Sequence, residues 1–277
     1  MRHPLLPRPL MFCALAFAAA PALAQAPKAE AMAVPVHISP ELAAAVAAPT
    51  RTPANMIRDK YRHPAETLAF FGVKPGDTVV EALPAPGWYT EILAPYLAAQ
   101  GQLWVAQAPG KGVDGLKAKF AADAKTYGKV KFSEFPIKGE AIADGSADVL
   151  LTFRNVHNLI MRGGTASDDA FAGFFRALKP GGVLGVVDHR LPESRDSADE
   201  KTSGYLKRST IVALAEKAGF TLAAESEINA NPRDSADWPK GVWTLPPTLS
   251  QGDADRAKYL AIGESDRMTL KFVKPGG

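Results

Sequence analysis

The sequence predicts an α/β domain, a doubly wound, mostly parallel seven-stranded sheet with helices on both faces. Short apolar, β-branched runs such as Thr78–Leu83 (TVVEAL) and Val183–Asp188 (VLGVVD) have the unbroken hydrophobicity of strands buried on both faces. Segments of helical period such as Asp168–Leu178 lie between them. The alternation runs the length of the chain with no internal repeat and no second hydrophobic core, which implies right-handed crossovers onto one covered sheet.

Residues 25–50 are rich in Ala and Pro with few large apolar groups, and read as a linker with at most a short helix at Pro40–Ala48. The domain is expected over 51–277. A short helix, Ala65–Phe71, leads through the turn Val73–Asp77 to the first strand, Thr78–Leu83. Trp88–Ala98 carries Ile92, Leu93 and Leu97 at helical spacing and is followed by a second strand, Gln102–Ala106. A helix over Asp114–Tyr127 separates it from strands at Val130–Phe135 and Asp148–Phe153. The helix Asp168–Leu178 is stopped by Lys179-Pro180-Gly181-Gly182 before the fifth strand, Val183–Asp188. A helix over Ser209–Ala218 ends at Gly219, and strands at Phe220–Ile228 and Met268–Val273 complete the set. Between these two strands, residues 229–266 make an unusually long insertion containing Asn229, Asn231, Trp238, Trp243 and Pro246-Pro247. A lid or binding loop and a packed surface insertion both fit it.

The first 24 residues have the three-part pattern of a secretory signal. Arg2 and Arg8 precede an apolar run, Leu10–Ala20, and Ala22-Leu23-Ala24 supplies a small-residue cleavage site before Gln25. The run is shorter than the ~20 apolar residues that span a bilayer. Cys13 follows bulky Phe12 in mid-run, unlike a lipid-attachment cysteine. Cleavage places the mature protein in the periplasm or outside the cell, with no membrane insertion. It also removes the chain's single cysteine, hence any disulfide or thiolate chemistry, and lowers the formal charge from +3 to +1. A near-neutral chain lacks the electrostatic footprint of a nucleic-acid or anionic-membrane binder.

In doubly wound sheets, ligands bind beyond the carboxyl ends of the strands. After strand one the chain reads Glu81-Ala82-Leu83-Pro84-Ala85-Pro86-Gly87-Trp88-Tyr89, which fits a cofactor loop or a stiff strand-to-helix turn. After strand four, Arg154-Asn155-Val156-His157-Asn158 puts four polar side chains at a strand end, as a polar pocket would. His157 is a candidate base or a structural cap. Asp188-His189-Arg190 ends strand five on the same edge. Because side chains alternate, one of Asp188 and His189 is expected in the site and the other as an anchor. No close ligand spacing among His63, His157, Asp188 and His189 suggests a metal, and none is expected.

From about Tyr61 to Val273 the chain resembles class I S-adenosylmethionine-dependent methyltransferases, which are Rossmann-like, and more closely exported predicted methyltransferases of bacteria. The resemblance rests on Tyr61–Thr67 (YRHPAET), Gly87–Leu93 (GWYTEIL), Arg154–Asn158 (RNVHN), Leu178–Gly182 (LKPGG) and Gly241–Pro247 (GVWTLPP), in this order. It implies a strand order of 3-2-1-4-5-7-6 with the seventh strand antiparallel. It also implies S-adenosylmethionine as cofactor, lined by Glu81, Ala85, Gly87, Trp88, Gln107 and Arg154, and a small-molecule substrate among Tyr89, Asn155, His157 and His189 as catalytic residues. The sequence departs from the family pattern at Leu83 and Ala85, where glycines are usual, and at Gln107, where an acid usually meets the ribose. These departures keep a second function open, a non-catalytic ligand-binding protein on a degenerate methyltransferase fold.

Overall fold

The computed structural model describes residue 1 and residues 36–139 and 141–276. The leader and the first part of the linker lie outside these residues. The described chain begins with α1 (Pro40–Val46), capped by the Ser39 side chain accepting the Leu42 N–H. Leu42 and Ala45 pack into the core beside Leu68 and Ile92. The domain thus reaches back to α1, earlier than the boundary at 51, because two buried side chains suffice to dock a short amphipathic helix. The short helices α2 (Pro53–Met56), α3 (Asp59–Arg62) and α4 (Pro64–Phe71) follow.

The strands are β1 (Thr78–Ala82), β2 (Gln102–Gln107), β3 (Lys131–Glu134), β4 (Ala147–Phe153), β5 (Leu178–Leu191), the two-residue β6 (Leu206–Lys207), β7 (Thr221–Ser226) and β8 (Arg267–Val273). The sheet runs β3-β2-β1-β4-β5-β8-β7, with β6 paired to β5 off this path. All pairings are parallel except those of β8, which is antiparallel to β5 and β7. Leaving the two-residue β6 uncounted, this is the expected order with its antiparallel last strand.

The helices between the strands are α5 (Thr90–Leu97), α6 (Lys111–Ala122), α7 (Ala124–Tyr127), α8 (Val156–Arg162), α9 (Ala166–Ala177), α10 (Arg208–Lys217) and α11 (Arg256–Ile262). Successive strand residues feed opposite layers, as a period of two requires. Val80, Leu150, Leu184 and Val186 pack with Phe171, Phe174 and Ile211. Val79, Val149 and Leu151 pack with Phe71, Ile92 and Leu93 on the other side. Gly185 lets α4 approach, since a Cβ there would lie 2.8 Å from Phe71 and from Leu151 Cδ2.

Two helical expectations change. The helix expected over Asp114–Tyr127 divides at Asp123, whose extended backbone (φ −137°) and side chain, accepting the Thr126 N–H, start a new turn. Helix α8 was not expected. It begins inside the polar segment after β4, with the Asp188 carboxylate from β5 accepting the His157 N–H at 3.2 Å. No described helix is long and apolar enough to cross a membrane.

Candidate active site

The carboxyl ends of β1, β4 and β5 open into a cavity of about 250 Å³. Eight of the ten expected site residues line it: Glu81, Ala85, Trp88, Tyr89, Arg154, Asn155, His157 and His189. Gly87 and Gln107 do not. Gly87 serves the turn instead: its φ is +93°, and a Cβ would meet Leu116 Cδ2 at 3.0 Å. Gln107, at the end of β2, lines a separate groove of about 470 Å³ with Pro109, Val113, Phe132 and Pro136. Ala85, which lines the first, donates its N–H at 3.3 Å to Oε1 of Gln107, which lines the second.

The centre of the cavity is a histidine held by an acid. His157 Nδ1 lies 2.7 Å from Asp188 Oδ1, and both side chains are buried. Asp188 also accepts the His189 N–H at 2.8 Å, so it is the anchor and His189 the cavity residue of that pair. His189 Nδ1 lies 2.5 Å from Ser265 Oγ, and the two imidazoles are 5.0 Å apart between centroids. Burial, then proximity to His157, lowers the His189 pKa well below its ordinary value, so that ring is neutral.

The fold overturns the spacing argument against a metal, because ligand atoms of His157, Asp188 and His189 all lie within 4.8 Å of one another. The bonding nevertheless favours a histidine–carboxylate pair. Each Nδ1 is engaged, Asp188 is already accepting three hydrogen bonds, and Arg154, Arg62 and Arg267 put positive charge nearby.

Three expected catalytic or binding side chains are spent on structure. Asn155 Nδ2 donates to Ala82 O and Leu83 O at 3.1 and 3.2 Å, tying the end of β4 to that of β1. Tyr89 is a wall: its ring stacks on Phe153 at 3.6 Å, and burial pushes its hydroxyl pKa up to about 12, so it keeps its proton. Trp88 donates to Asn55 O, and the guanidinium carbons of Arg51 and Arg62 lie 5.2 and 4.8 Å from its ring centroid. Glu81 accepts from Thr90 Oγ1 at 2.6 Å, yet burial raises its pKa to about 8.

Arg62, Glu264, Ser265 and Trp243 line the same cavity and were not singled out as site residues by the sequence. Glu264 and Ser265 immediately precede β8, whose antiparallel course returns its amino end to the carboxyl ends of its neighbours. Glu264 binds Arg58, Arg62 and Arg267 at 2.6, 3.0 and 3.2 Å. Burial alone would raise its pKa, but Arg62, Arg267 and Arg58 outweigh burial and hold it at about 2. Part of the long insertion packs on the domain and part lines the cavity. Val242 and Trp243 pack with Tyr205 and Leu191, while Trp243, Pro246 and Pro247 also wall the cavity.

No family model and no curated protein matches the sequence. Solved structures do resemble the fold. A SAM-dependent methyltransferase from Aquifex aeolicus superposes with a TM-score of 0.55 at 15% identity, covering 80% of this chain and 94% of that one. The [4+2]-cyclase SpnF gives 0.55 at 17% identity, covering 85% and 92%. A SAM-dependent methyltransferase from Methanosarcina mazei gives 0.52 at 12%, covering 74% and 95%. The chain thus has the class I methyltransferase, Rossmann-like fold. A cyclase stands among these neighbours, so the fold leaves the reaction to be argued from the site.

Proposed function

We propose that this chain, with its class I methyltransferase fold, is an S-adenosylmethionine-dependent methyltransferase acting on a small molecule at the ends of β1, β4 and β5. The observation that carries this reading is the buried His157–Asp188 pair at the cavity wall. A carboxylate on Nδ1 fixes the tautomer that leaves Nε2 as a proton acceptor, the arrangement of a general base. His157 takes the proton from the acceptor nucleophile, while Tyr89, Trp243 and neutral His189 confine the acceptor and exclude water.

The residues present fit the cofactor. Val113, Phe132 and Pro136 give the outer groove apolar walls for an adenine ring. Gln107 stands at its edge with an Nε2 that has no partner among the described residues, suited to a ribose hydroxyl. Glu81, a buried carboxyl without a bound cation, suits the ammonium of the methionine part. The cofactor supplies an electrophilic methyl group on a sulfonium.

One observation favours the alternative of a non-catalytic binding protein: Gln107 Oε1 is already engaged by the Ala85 N–H. Calorimetry of the mature protein with S-adenosylmethionine and S-adenosylhomocysteine separates the two. Saturable binding of both supports the enzyme, and silence for both leaves the binding protein.

The pattern of residues 1–24 supports export to the periplasm or beyond. Mass spectrometry of exported protein is expected to find a mature terminus at or near Gln25. An intact Met1 contradicts export.

A further inference from the structure

Arg62 and Arg154 line the cavity, and Arg58 and Arg267 pair with Glu264, which also lines it. Among the described residues Glu264 is the one ion-paired carboxylate of these four arginines, and three of them share it. Arg154 has no hydrogen bond or ion pair from its side chain among the described residues, although it lines the cavity beside His157 and His189. Its neighbours show the same shortage of acceptors, since the buried Nη2 atoms of Arg58 and Arg62 have no partner among the described residues. The other nearby acid, Asp188, is committed to His157 and two backbone N–H groups.

The half-buried Arg154 faces the cavity without an acceptor among the described residues, and a guanidinium is most stable against a planar oxyanion that takes its paired N–H groups. Arg154 takes a left-handed backbone (φ +60°) immediately after β4 and lines the cavity there. Burial first, and then Arg267, lower its pKa to about 10, with Glu264 and Asp188 partly offsetting them, so it remains charged at neutral pH.

We propose that Arg154 is the receptor for a carboxylate carried by the bound ligand. The inference rests on the cavity being the reaction pocket. The carboxylate belongs either to the acceptor or to the methionine part of the cofactor, and the chemistry of recognition is the same for both. Tyr89, Phe153, Trp243 and the Pro246-Pro247 pair line the same cavity, so an acceptor filling this space joins its carboxylate to a flat or apolar body.

Calorimetry with four probes tests this on the mature protein and on Arg154→Gln and Arg154→Lys, with folding checked by circular dichroism. The probes are benzoate, its neutral analogue benzamide, S-adenosylhomocysteine, and 5′-methylthioadenosine, which lacks the amino-acid part. An acceptor carboxylate gives benzoate binding that exceeds benzamide binding and falls tenfold or more in Arg154→Gln, with Arg154→Lys between. A cofactor carboxylate gives the same tenfold loss for S-adenosylhomocysteine and none for 5′-methylthioadenosine. If neither benzoate nor S-adenosylhomocysteine depends on Arg154, or benzamide binds as well as benzoate with no loss in the S-adenosylhomocysteine arm, the proposal is overturned. The cofactor assignment fails separately: benzoate binding that requires Arg154, with no heat from either adenosyl compound, keeps the carboxylate receptor and removes the methyltransferase.

Discussion

Asp188 holds His157 twice, accepting the ring Nδ1–H at 2.7 Å and the backbone N–H at 3.2 Å. One carboxylate therefore orients the imidazole and caps the helix that carries it. Asp188→Ala removes the acceptor on Nδ1 and frees the ring tautomer. We expect long-range ¹H–¹⁵N spectra to show the His157 proton no longer held on Nδ1. Methyl transfer is expected to fall by ~10²-fold or more, as for loss of a general base. An unchanged tautomer contradicts the role given to Asp188.

Glu81 links the site to stability. Its pKa is raised in the fold to about 8, by burial that the Thr90 hydrogen bond only partly offsets. The folded state then holds a proton that the unfolded chain releases near its ordinary carboxylate pKa. Stability from this group is fullest at acid pH, declines as pH rises through that ordinary value, and levels off above about 8. Glu81→Gln retains an acceptor for Thr90 and is expected to be more stable than the parent at pH 8 but not at pH 4. Thermal unfolding between those pH values checks this; parallel curves for the two proteins refute it.

Tyr89→Phe preserves the stack on Phe153 and removes only a hydroxyl bonded to Arg62 O at 3.4 Å. Stability is expected to stay within about 1 kcal/mol and turnover within severalfold. A hundredfold loss of turnover with intact stability restores Tyr89 as a catalytic residue.

Gln107→Glu keeps an oxygen for the Ala85 N–H and offers a charged second oxygen to the outer groove. Charge-assisted hydrogen bonds contribute about 1.5–3 kcal/mol against 0.5–1.5 for neutral ones. S-adenosylhomocysteine is expected to bind severalfold tighter by calorimetry. Equal or weaker binding, with the fold intact, argues that the ribose lies elsewhere.

The sheet was legible because parallel strands buried on both faces are written as continuous runs, such as Val79–Val80 and Val186–Val187, between helical periods. That the polar segment Arg154–Asn158 lines a cavity was legible for a similar reason, since polar side chains at a strand end have no core to join. What each member does was not legible. Asn155 and Tyr89 look reactive in sequence, and only the backbone partners Ala82, Leu83 and Arg62 reveal them as fasteners and wall. Glu264 and Ser265 lie about a hundred residues from His157 in the chain, and only the antiparallel return of β8 brings them to the cavity. Helix α8 was hidden because its start depends on Asp188, a residue on another strand.

The most direct test of the account is where the transferred methyl group sits. With S-adenosylmethionine labelled at the ¹³C-methyl, intermolecular nuclear Overhauser contacts are expected to the His157 ring and to Tyr89 or Trp243, which wall the cavity. Contacts to Val113 and Phe132 in the outer groove, or no saturable binding, contradict a reaction pocket built around His157.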